Sequence, residues 1–179
     1  HAMFGLQTWL ALPLAAEDSA PAFYNAPESA LPVLEGEGKT LRLILGKAWG
    51  AEAPVPTASE TFYADATLAP GASLPLPDNH EDRGIYILSG SVISGGVTHE
   101  AGRMLVFRPG DALSVRAGGQ GARLMLLGGA TMDGPRHIWW NFVSSSKERI
   151  EQAKEEWRTG RFDIVPGDEE EFVPLPEGR

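Results

Sequence analysis

The chain has 179 residues, of which 42% are hydrophobic and 22% charged, a composition typical of one soluble globular domain rather than of a disordered chain. Its formal net charge of −9 has the wrong sign for a nucleic-acid interface, and no apolar run approaches the roughly 18 residues of a membrane-spanning helix, so we expect neither direct nucleic-acid binding nor membrane contact. The chain has no Cys, which excludes disulfides and thiolate metal sites and fits a cytoplasmic location.

The start of the chain predicts one strand followed by an irregular connection. Residues 1–3 are interpreted as a cloning remnant, because a His-Ala pair precedes the first Met. The apolar stretch around Trp9 predicts a strand that Pro13 ends. A secretory signal is the less favoured interpretation, since no Lys or Arg precedes that stretch. Residues 14–32 contain three prolines and predict an extended connection.

From residue 40 the pattern changes to short strands separated by turn residues. The predicted strands are 40–46, 61–68, 84–90, 92–93, 104–107, 112–116 and 122–128. Their separators include Pro70-Gly71, Gly95-Gly96, Pro109-Gly110 and Gly118-Gly119. Within 61–68 the residues alternate cleanly, with Phe62 and Leu68 on the inner face. This spacing favours an antiparallel sandwich or a barrel, which periodicity does not distinguish.

One helix is predicted after the strands. Ser145 and Glu148 form a candidate capping box, and Gly160 follows the last helical residue. A narrow apolar stripe runs along it through Ile150, Ala153 and Trp157, so we expect the helix to lie on a surface with its charged face in water.

Two segments, 71–90 and 102–115, resemble the two sequence motifs of cupins. The frame residues are Gly90, Gly102, Pro109 and Gly110, with the proline one residue out of place. In metal-binding cupins, the first motif supplies two His and one Glu and the second supplies one His, and these residues face the barrel interior. The resemblance therefore implies a cupin jelly-roll barrel.

The metal ligands of that motif are missing here. The ligand positions hold Leu76 and Asp78 or, one residue later, Pro77 and Asn79, followed by Arg83 and Leu113. A divalent ion needs three or four converging donors, and an arginine beside it would repel it. We therefore expect a metal-free barrel without catalytic residues.

A weaker alternative is an improvised metal site built from Asp78, His80 and His99. The favoured interpretation is that His80 lies in a polar turn beside Asp78 and Glu81, and that His99 lies in a hairpin with its side chain in water. Nothing in the spacing fixes these donors around one point.

Three further segments narrow the resemblance to the pirin family. They are GLQTWLALP at 5–13, LILGKAWGAEAPV at 43–55, and the long stretch 128–162 that contains RHIWWNF. Their order is similar to the carboxyl-terminal half of bacterial pirin-like proteins. The resemblance implies two tandem cupin barrels, with one metal, usually iron, in the amino-terminal barrel. It also implies quercetin 2,3-dioxygenase activity in some members and transcriptional co-regulation through protein partners in others.

The expected organisation is thus all-β: a cupin jelly-roll barrel, or antiparallel β-sandwich, with one peripheral carboxyl-terminal helix. We predict a degenerate barrel with an extended amino-terminal segment over 4–143, the helix and a return segment over 144–165, and an acidic tail over 166–179. The resemblance implies that the three His and one Glu that bind the metal belong to a barrel preceding Gly5.

The expected role is structural support of that catalytic half. Two adjacent tryptophans on a strand point to opposite faces, so at most one of Trp139 and Trp140 can enter this barrel's own core. With Trp9 and Trp157, they are the candidate contacts to the amino-terminal half, or to a second copy of the chain. Two alternatives stay open: a non-catalytic protein-interaction module and a small-molecule-binding cupin. For the latter, Trp49 and Tyr86 could line an interior pocket, although core filling is the favoured interpretation of both.

Overall fold

The structure, a computed structural model, describes residues 4–111, 113–164 and 166–176. The chain divides into two compact units. Ala20–Thr131 forms the sandwich unit, and the described parts of His1–Ser19 and Met132–Arg179 form the helical unit. Residues 1–3, interpreted above as a cloning remnant, lie outside the described residues, and the predicted domain boundaries stay a prediction.

The sandwich unit is built from antiparallel strands and one 3-10 turn, Glu28–Ala30. The strands are β1 (Val33–Gly36), β2 (Lys39–Ala48), β3 (Ala51–Glu52), β4 (Thr61–Leu68), β5 (Ser73–Pro75), β6 (Asp82–Ser94), β7 (Val97–Glu100), β8 (Met104–Phe107) and β9 (Ser114–Gly129). Their order is β1-β2-β4-β9-β6-β7, with β3 beside β2, β5 beside β9 and β8 beside β6. The predicted all-β fold is confirmed as an antiparallel β-sandwich.

The core of this unit follows the predicted alternation. In β4, Phe62, Ala64, Ala66 and Leu68 are buried, as expected for one face of a strand. They pack with inward residues of β2, β6 and β9, among which Leu43, Ile85 and Leu126 are at most 1% exposed. Burial of this apolar surface supplies the main free energy that stabilises the unit.

Two predicted strand boundaries are wrong. The separator Gly118-Gly119 lies inside β9, and the predicted strands 84–90 and 92–93 are parts of one strand, β6. Irregular pairing between β6 and β9 falls at Gly90, whose φ is +72° and where an added Cβ atom would lie 2.1 Å from the Gly121 carbonyl oxygen. Glycine here lets the two long strands bend without ending, which is why a turn signal did not mark a turn.

The helical unit contains a hairpin and a helix. Its elements are a 3-10 turn at Leu14–Ala16, β10 (His137–Trp139), β11 (Phe142–Ser144) and α1 (Lys147–Arg158). The strand predicted around Trp9 is wrong, because residues 4–13 pair with no strand among the described residues. In this segment the Leu12 carbonyl oxygen accepts a hydrogen bond from the Arg136 side chain, a contact that leaves no periodic signal in the sequence.

The helix is confirmed, with a correction at its start. The N-cap is Ser146, not Ser145, and the Ser146 hydroxyl accepts a hydrogen bond from the Arg149 backbone N–H at 3.2 Å. Glu148 accepts from the Ser146 hydroxyl at 2.8 Å. Ile150 and Ala153 are buried, as the apolar stripe predicts. No helix among the described residues has the length and apolar character needed to cross a membrane.

Candidate functional site

The position that corresponds to a cupin metal site lies where the loops before β6 and β9 meet. The Leu76 backbone N–H donates to the Leu113 carbonyl oxygen at 2.9 Å, so two of the ligand positions of the resemblance lie opposite each other. Leu76 is 6% exposed, and Leu113 packs against the hydrophobic core. Aliphatic side chains therefore occupy the place where histidines would converge.

Arg83 is the charged residue of this region and is 2% exposed. In β6 it shares the inward face with Ile85 and Ile87, which are fully buried. Its guanidinium donates to the Pro77 and Arg108 carbonyl oxygens, each at 3.2 Å, while its Nε has no hydrogen-bond partner. Arg83 thus ties the loop of the first motif to the loop of the second.

These residues do not fit a metal ion. Only Asp78 carries a carboxylate among the ligand positions, and it is exposed. A buried guanidinium repels a cation and donates hydrogen bonds without offering an acceptor. Among the residues that the structure describes, no three His, Cys, Asp or Glu side chains converge on one point. The alternative set of Asp78, His80 and His99 is accordingly not brought together.

His80 lies in the loop before β6, where the polar turn is predicted, but its side chain is only 3% exposed. Its Nε2 lies 2.9 Å from the Lys47 carbonyl oxygen, and its ring centroid lies 4.8 Å from that of Phe62. His80 is therefore a core residue that joins the loop before β6 to β2. The neighbouring Glu81 is exposed and accepts the Thr131 backbone N–H, which lowers the pKa of its carboxyl.

His99 lies in β7 opposite Val92 and is half-buried. The hairpin that follows Gly95-Gly96 agrees with the sequence, whereas the half-buried side chain of His99 differs from the expected position in water.

In the helical unit, three of the candidate contact tryptophans belong to one aromatic cluster. The cluster consists of Trp139, Trp140, Phe142, Trp157, Phe162 and Phe172, with ring centroids of neighbours 5.2–6.4 Å apart. The expectation that Trp139 and Trp140 point to opposite faces is wrong. Trp140 lies in the turn after β10 with a φ of +50°, so the alternation of a strand does not apply to it. Both rings, and that of Trp157, are half-buried against one another.

The same cluster fastens α1 to the chain on either side of it. Lys154 places its Nζ 4.3 Å from the centroid of the Trp139 ring, a cation–π contact. The Trp157 Nε1 donates to the Val173 carbonyl oxygen at 2.9 Å. The acidic run 168–171 is exposed as predicted, while the residues after it return to the helix.

Arg136 is the polar centre of the helical unit. Its side chain is 7% exposed, and its Nη2 donates to the Leu12 carbonyl oxygen and to Asp133 Oδ1, both at 2.7 Å. Asp133 in turn accepts the Leu14 backbone N–H at 2.7 Å. The hydrogen bond from Arg136 and then that from Leu14 hold the pKa of the Asp133 carboxyl below its ordinary range.

Glu17 reinforces this arrangement. Hydrogen bonds from the Ser145 side chain and backbone N–H hold the pKa of its carboxyl below the ordinary range. The Arg136 Nε lies 4.0 Å from Glu17 Oε1. Arg136 and Glu17 thus bind residues 12–17 to the segment that carries the hairpin and the helix.

An open groove of about 450 Å³ lies beside Arg136. Its apolar walls include Trp9, Leu12, Ile138 and Val143. Trp9 is 49% exposed and Ile138 is 66% exposed, so this groove presents large apolar side chains to solvent.

Comparison with known proteins identifies the family. The family model of the pirin carboxyl-terminal cupin domain matches residues 63–163. A pirin-like protein of Caulobacter vibrioides is 43% identical over 176 residues, which are 98% of this chain and 60% of that protein. The chain belongs to the pirin family.

Two further proteins that this chain resembles carry enzyme names. A Pseudomonas aeruginosa protein, provisionally named a quercetin 2,3-dioxygenase, is 34% identical over 95% of this chain and 55% of its own length. The crystal structure of quercetin 2,3-dioxygenase from Acinetobacter baumannii superimposes with a TM-score of 0.79 and 26% identity, covering 96% of this chain and 58% of that one. This pirin chain therefore spans 55–60% of the length of these relatives.

The sandwich unit of this pirin domain also contains an open apolar cavity of about 360 Å³. Trp49 forms one wall, and Leu34, Leu41 and Leu74 contribute aliphatic surface. Trp49 is half-buried. It packs against the hydrophobic core, as the favoured interpretation of core filling expects, and it also borders this cavity. The signal that could have found this feature is a tryptophan directly before Gly50 at a two-residue turn, a place where Asn or Gly is usual.

Proposed function

We propose that this chain is the metal-free cupin half of a two-barrel pirin-like protein. The observation that carries the proposal is the occupation of the ligand positions by Leu76, Arg83 and Leu113, which are packed or hydrogen-bonded within the core. They offer no acceptor to a cation, so no reaction step is assigned to this half.

The second half would be an amino-terminal cupin that holds the metal, iron or another divalent ion, and carries out quercetin 2,3-dioxygenase-type chemistry. The fraction of the relatives' length that this chain spans, and the enzyme names of two of them, support this proposal. The lack of Cys fits a cytoplasmic location, and the net charge of −9 disfavours direct binding to nucleic acid.

This half would stabilise and cover the catalytic half through the helical unit. Trp9 and Ile138 offer the most exposed apolar surface beside the groove. Trp139, Trp140 and Trp157 pack against one another in the aromatic cluster. Removing such surface from water would supply about 25 cal/mol per Å² of apolar area buried.

The metal-free proposal is tested by metal content and turnover. The chain is incubated anaerobically with Fe²⁺, desalted, and analysed by elemental mass spectrometry and for flavonol consumption under O₂. Quercetin 2,3-dioxygenase from Acinetobacter baumannii is the positive control. We expect substoichiometric iron and no turnover in the chain alone. Stoichiometric iron bound by this chain would overturn the proposal.

The docking role is tested with the part of the Caulobacter vibrioides relative that lies outside the matched region. Titration calorimetry would measure its binding to the chain and to the variants Trp9→Ala and Ile138→Asp. Both variants should weaken binding, whereas Phe23→Ala, which removes a 91% exposed aromatic ring of the sandwich unit, should leave it unchanged. Equal binding by all variants, or self-association of the chain in place of binding, would contradict this role.

A further inference from the structure

Trp49 occupies a turn position at which the usual residue preferences of the turn do not favour tryptophan. It is the first residue of the two-residue turn between β2 and β3, in which Ala48 pairs with Ala51. Its φ is +48° and that of Gly50 is +76°. Turns of this kind favour Asn, Asp or Gly at the first position, and a bulky side chain is disfavoured there. A tryptophan at this place therefore needs a reason that lies in its side chain.

The side chain of Trp49 is held in one orientation. Its Nε1 donates to the Pro75 carbonyl oxygen at 2.9 Å. Its ring meets the buried ring of Phe62 edge-on, with centroids 5.6 Å apart and an interplanar angle of 78°. Neither contact requires the ring to border open space, yet Trp49 forms a wall of the 360 Å³ cavity.

The interior of that cavity is apolar and preformed. Leu41 and Leu74 are 4% and 1% exposed and belong to the core of the sandwich, while Leu34 packs against that core from β1. The volume lies at the lower end of the range of about 300–1,000 Å³ that is usual for small-molecule sites. A tryptophan ring opposite aliphatic side chains is suited to a flat aromatic ligand.

The rim of the cavity restricts the charge of the ligand. It carries Glu35, Glu37 and Lys39, so carboxylates outnumber cations. Lys39 is already engaged, since its Nζ lies 2.5 Å from Glu37 Oε2 and 3.3 Å from the Ser73 carbonyl oxygen. An anionic ligand would meet excess negative charge, and a strongly cationic one would gain little from an apolar interior.

We propose that this cavity is a binding site for a neutral aromatic molecule of one or two rings, with Trp49 as the stacking wall. The site needs no metal ion and lies entirely within the sandwich unit. It is therefore independent of the proposed docking role, and either proposal can fail without the other.

Indole, a neutral two-ring compound, is the probe. The 179-residue chain is labelled with ¹⁵N, and its five tryptophans give five indole N–H signals. The Trp49 signal is assigned as the one that Trp49→Phe removes. Titration with unlabelled indole should shift this signal saturably and leave those of Trp139, Trp140 and Trp157 in place. Unchanged Trp49 resonance, or shifts confined to the other tryptophans, would overturn the proposal.

A matched pair of variants in β1 locates the binding. Leu34→Phe fills the cavity and should abolish the shift, whereas Val33→Phe, on the opposite and 45% exposed face, should retain it. Persistence of the shift in folded Leu34→Phe would place indole elsewhere. If Leu34→Phe fails to fold, the place of binding is determined in the unmodified chain by intermolecular nuclear Overhauser effects from indole to the Leu34 and Leu74 methyl groups. Their presence supports the site, and their absence refutes it.

Discussion

Replacement of Arg136 by alanine should release the amino-terminal segment from the helical unit. The guanidinium holds this segment through its 2.7 Å hydrogen bond to the Leu12 carbonyl oxygen and orients Asp133, which accepts the Leu14 backbone N–H. A hydrogen bond that involves a charged group contributes about 1.5–3 kcal/mol. The bond to Leu12 is screened little, because the Arg136 side chain is 7% exposed.

The consequence can be measured at one amide. At about 1.4 kcal/mol per factor of ten, loss of the Leu12 bond should reduce the protection of the Leu14 amide against hydrogen exchange by about 10- to 150-fold. Arg149→Ala is the matched control, because Arg149 forms an ion pair with Glu156 on the exposed side of α1. An exposed pair of this kind contributes only about 0–1 kcal/mol, and Leu14 should keep its protection in that variant.

The outcome that refutes this reasoning is specific. If Leu14 exchanges at the same rate in Arg136→Ala and in the unmodified chain, while the Leu124 amide of β9 reports a folded sandwich, Arg136 does not hold the segment. The apolar contacts of Trp9 and Leu12 would then be sufficient to hold it.

Two further predictions concern charge and packing. Because hydrogen bonds, first from Arg136, lower the pKa of Asp133 below its ordinary value of 3.8, the stability that this carboxylate contributes is present above pH 3.8. This stability should be lost as the pH falls through the lower pKa of Asp133 in the folded state. Asp133→Asn should remove the contribution of Asp133 to the pH dependence of thermal unfolding between about pH 5 and pH 2, roughly the range in which carboxyl groups titrate. Gly128→Ala should destabilise the sandwich by about 1–3 kcal/mol in urea unfolding, because a Cβ atom would lie 2.3 Å from the Asp82 carbonyl oxygen. Gly119→Ala is its control, since a Cβ atom there would meet nothing within 4 Å, and equal loss in both variants would contradict the steric explanation.

The parts of the fold that the sequence predicts well are those with a periodic signal. The sequence predicts strand β4 with both of its ends, because one of its faces is buried and the other is not, so that alternation is visible in the residues themselves. It does not predict the bounds of β9, since Gly118 and Gly119 are typical of turns yet lie in a strand that bends. Glycine permits both structures, and only the partner strand decides between them.

The candidate site likewise has one part that the sequence predicts and another part that it does not. The spacing from Gly90 is sufficient to locate Arg83 at the position of a metal ligand. It cannot predict that Arg83 reaches the Arg108 carbonyl oxygen, or that His80 is buried against Phe62, because these contacts join residues far apart in the chain. Trp140 illustrates the same limit, since its positive φ removes it from the alternation of β10.

Arg83 also bears on how the proposed metal-free half would keep the loops of its two motifs together. A bound metal would cross-link the loops of the two motifs through its ligands and so stabilise their arrangement. In this chain the guanidinium of Arg83 bonds a carbonyl oxygen of each loop, and the Leu76 N–H bonds the Leu113 carbonyl oxygen directly. Among the described residues, protein groups thus join the two loops. These contacts use the same space that the metal ligands would need. Restoring a single donor, as in Arg83→Glu, should therefore break the cross-link without creating a metal site. The variant should unfold at a lower urea concentration than the unmodified chain, whether or not Fe²⁺ is present.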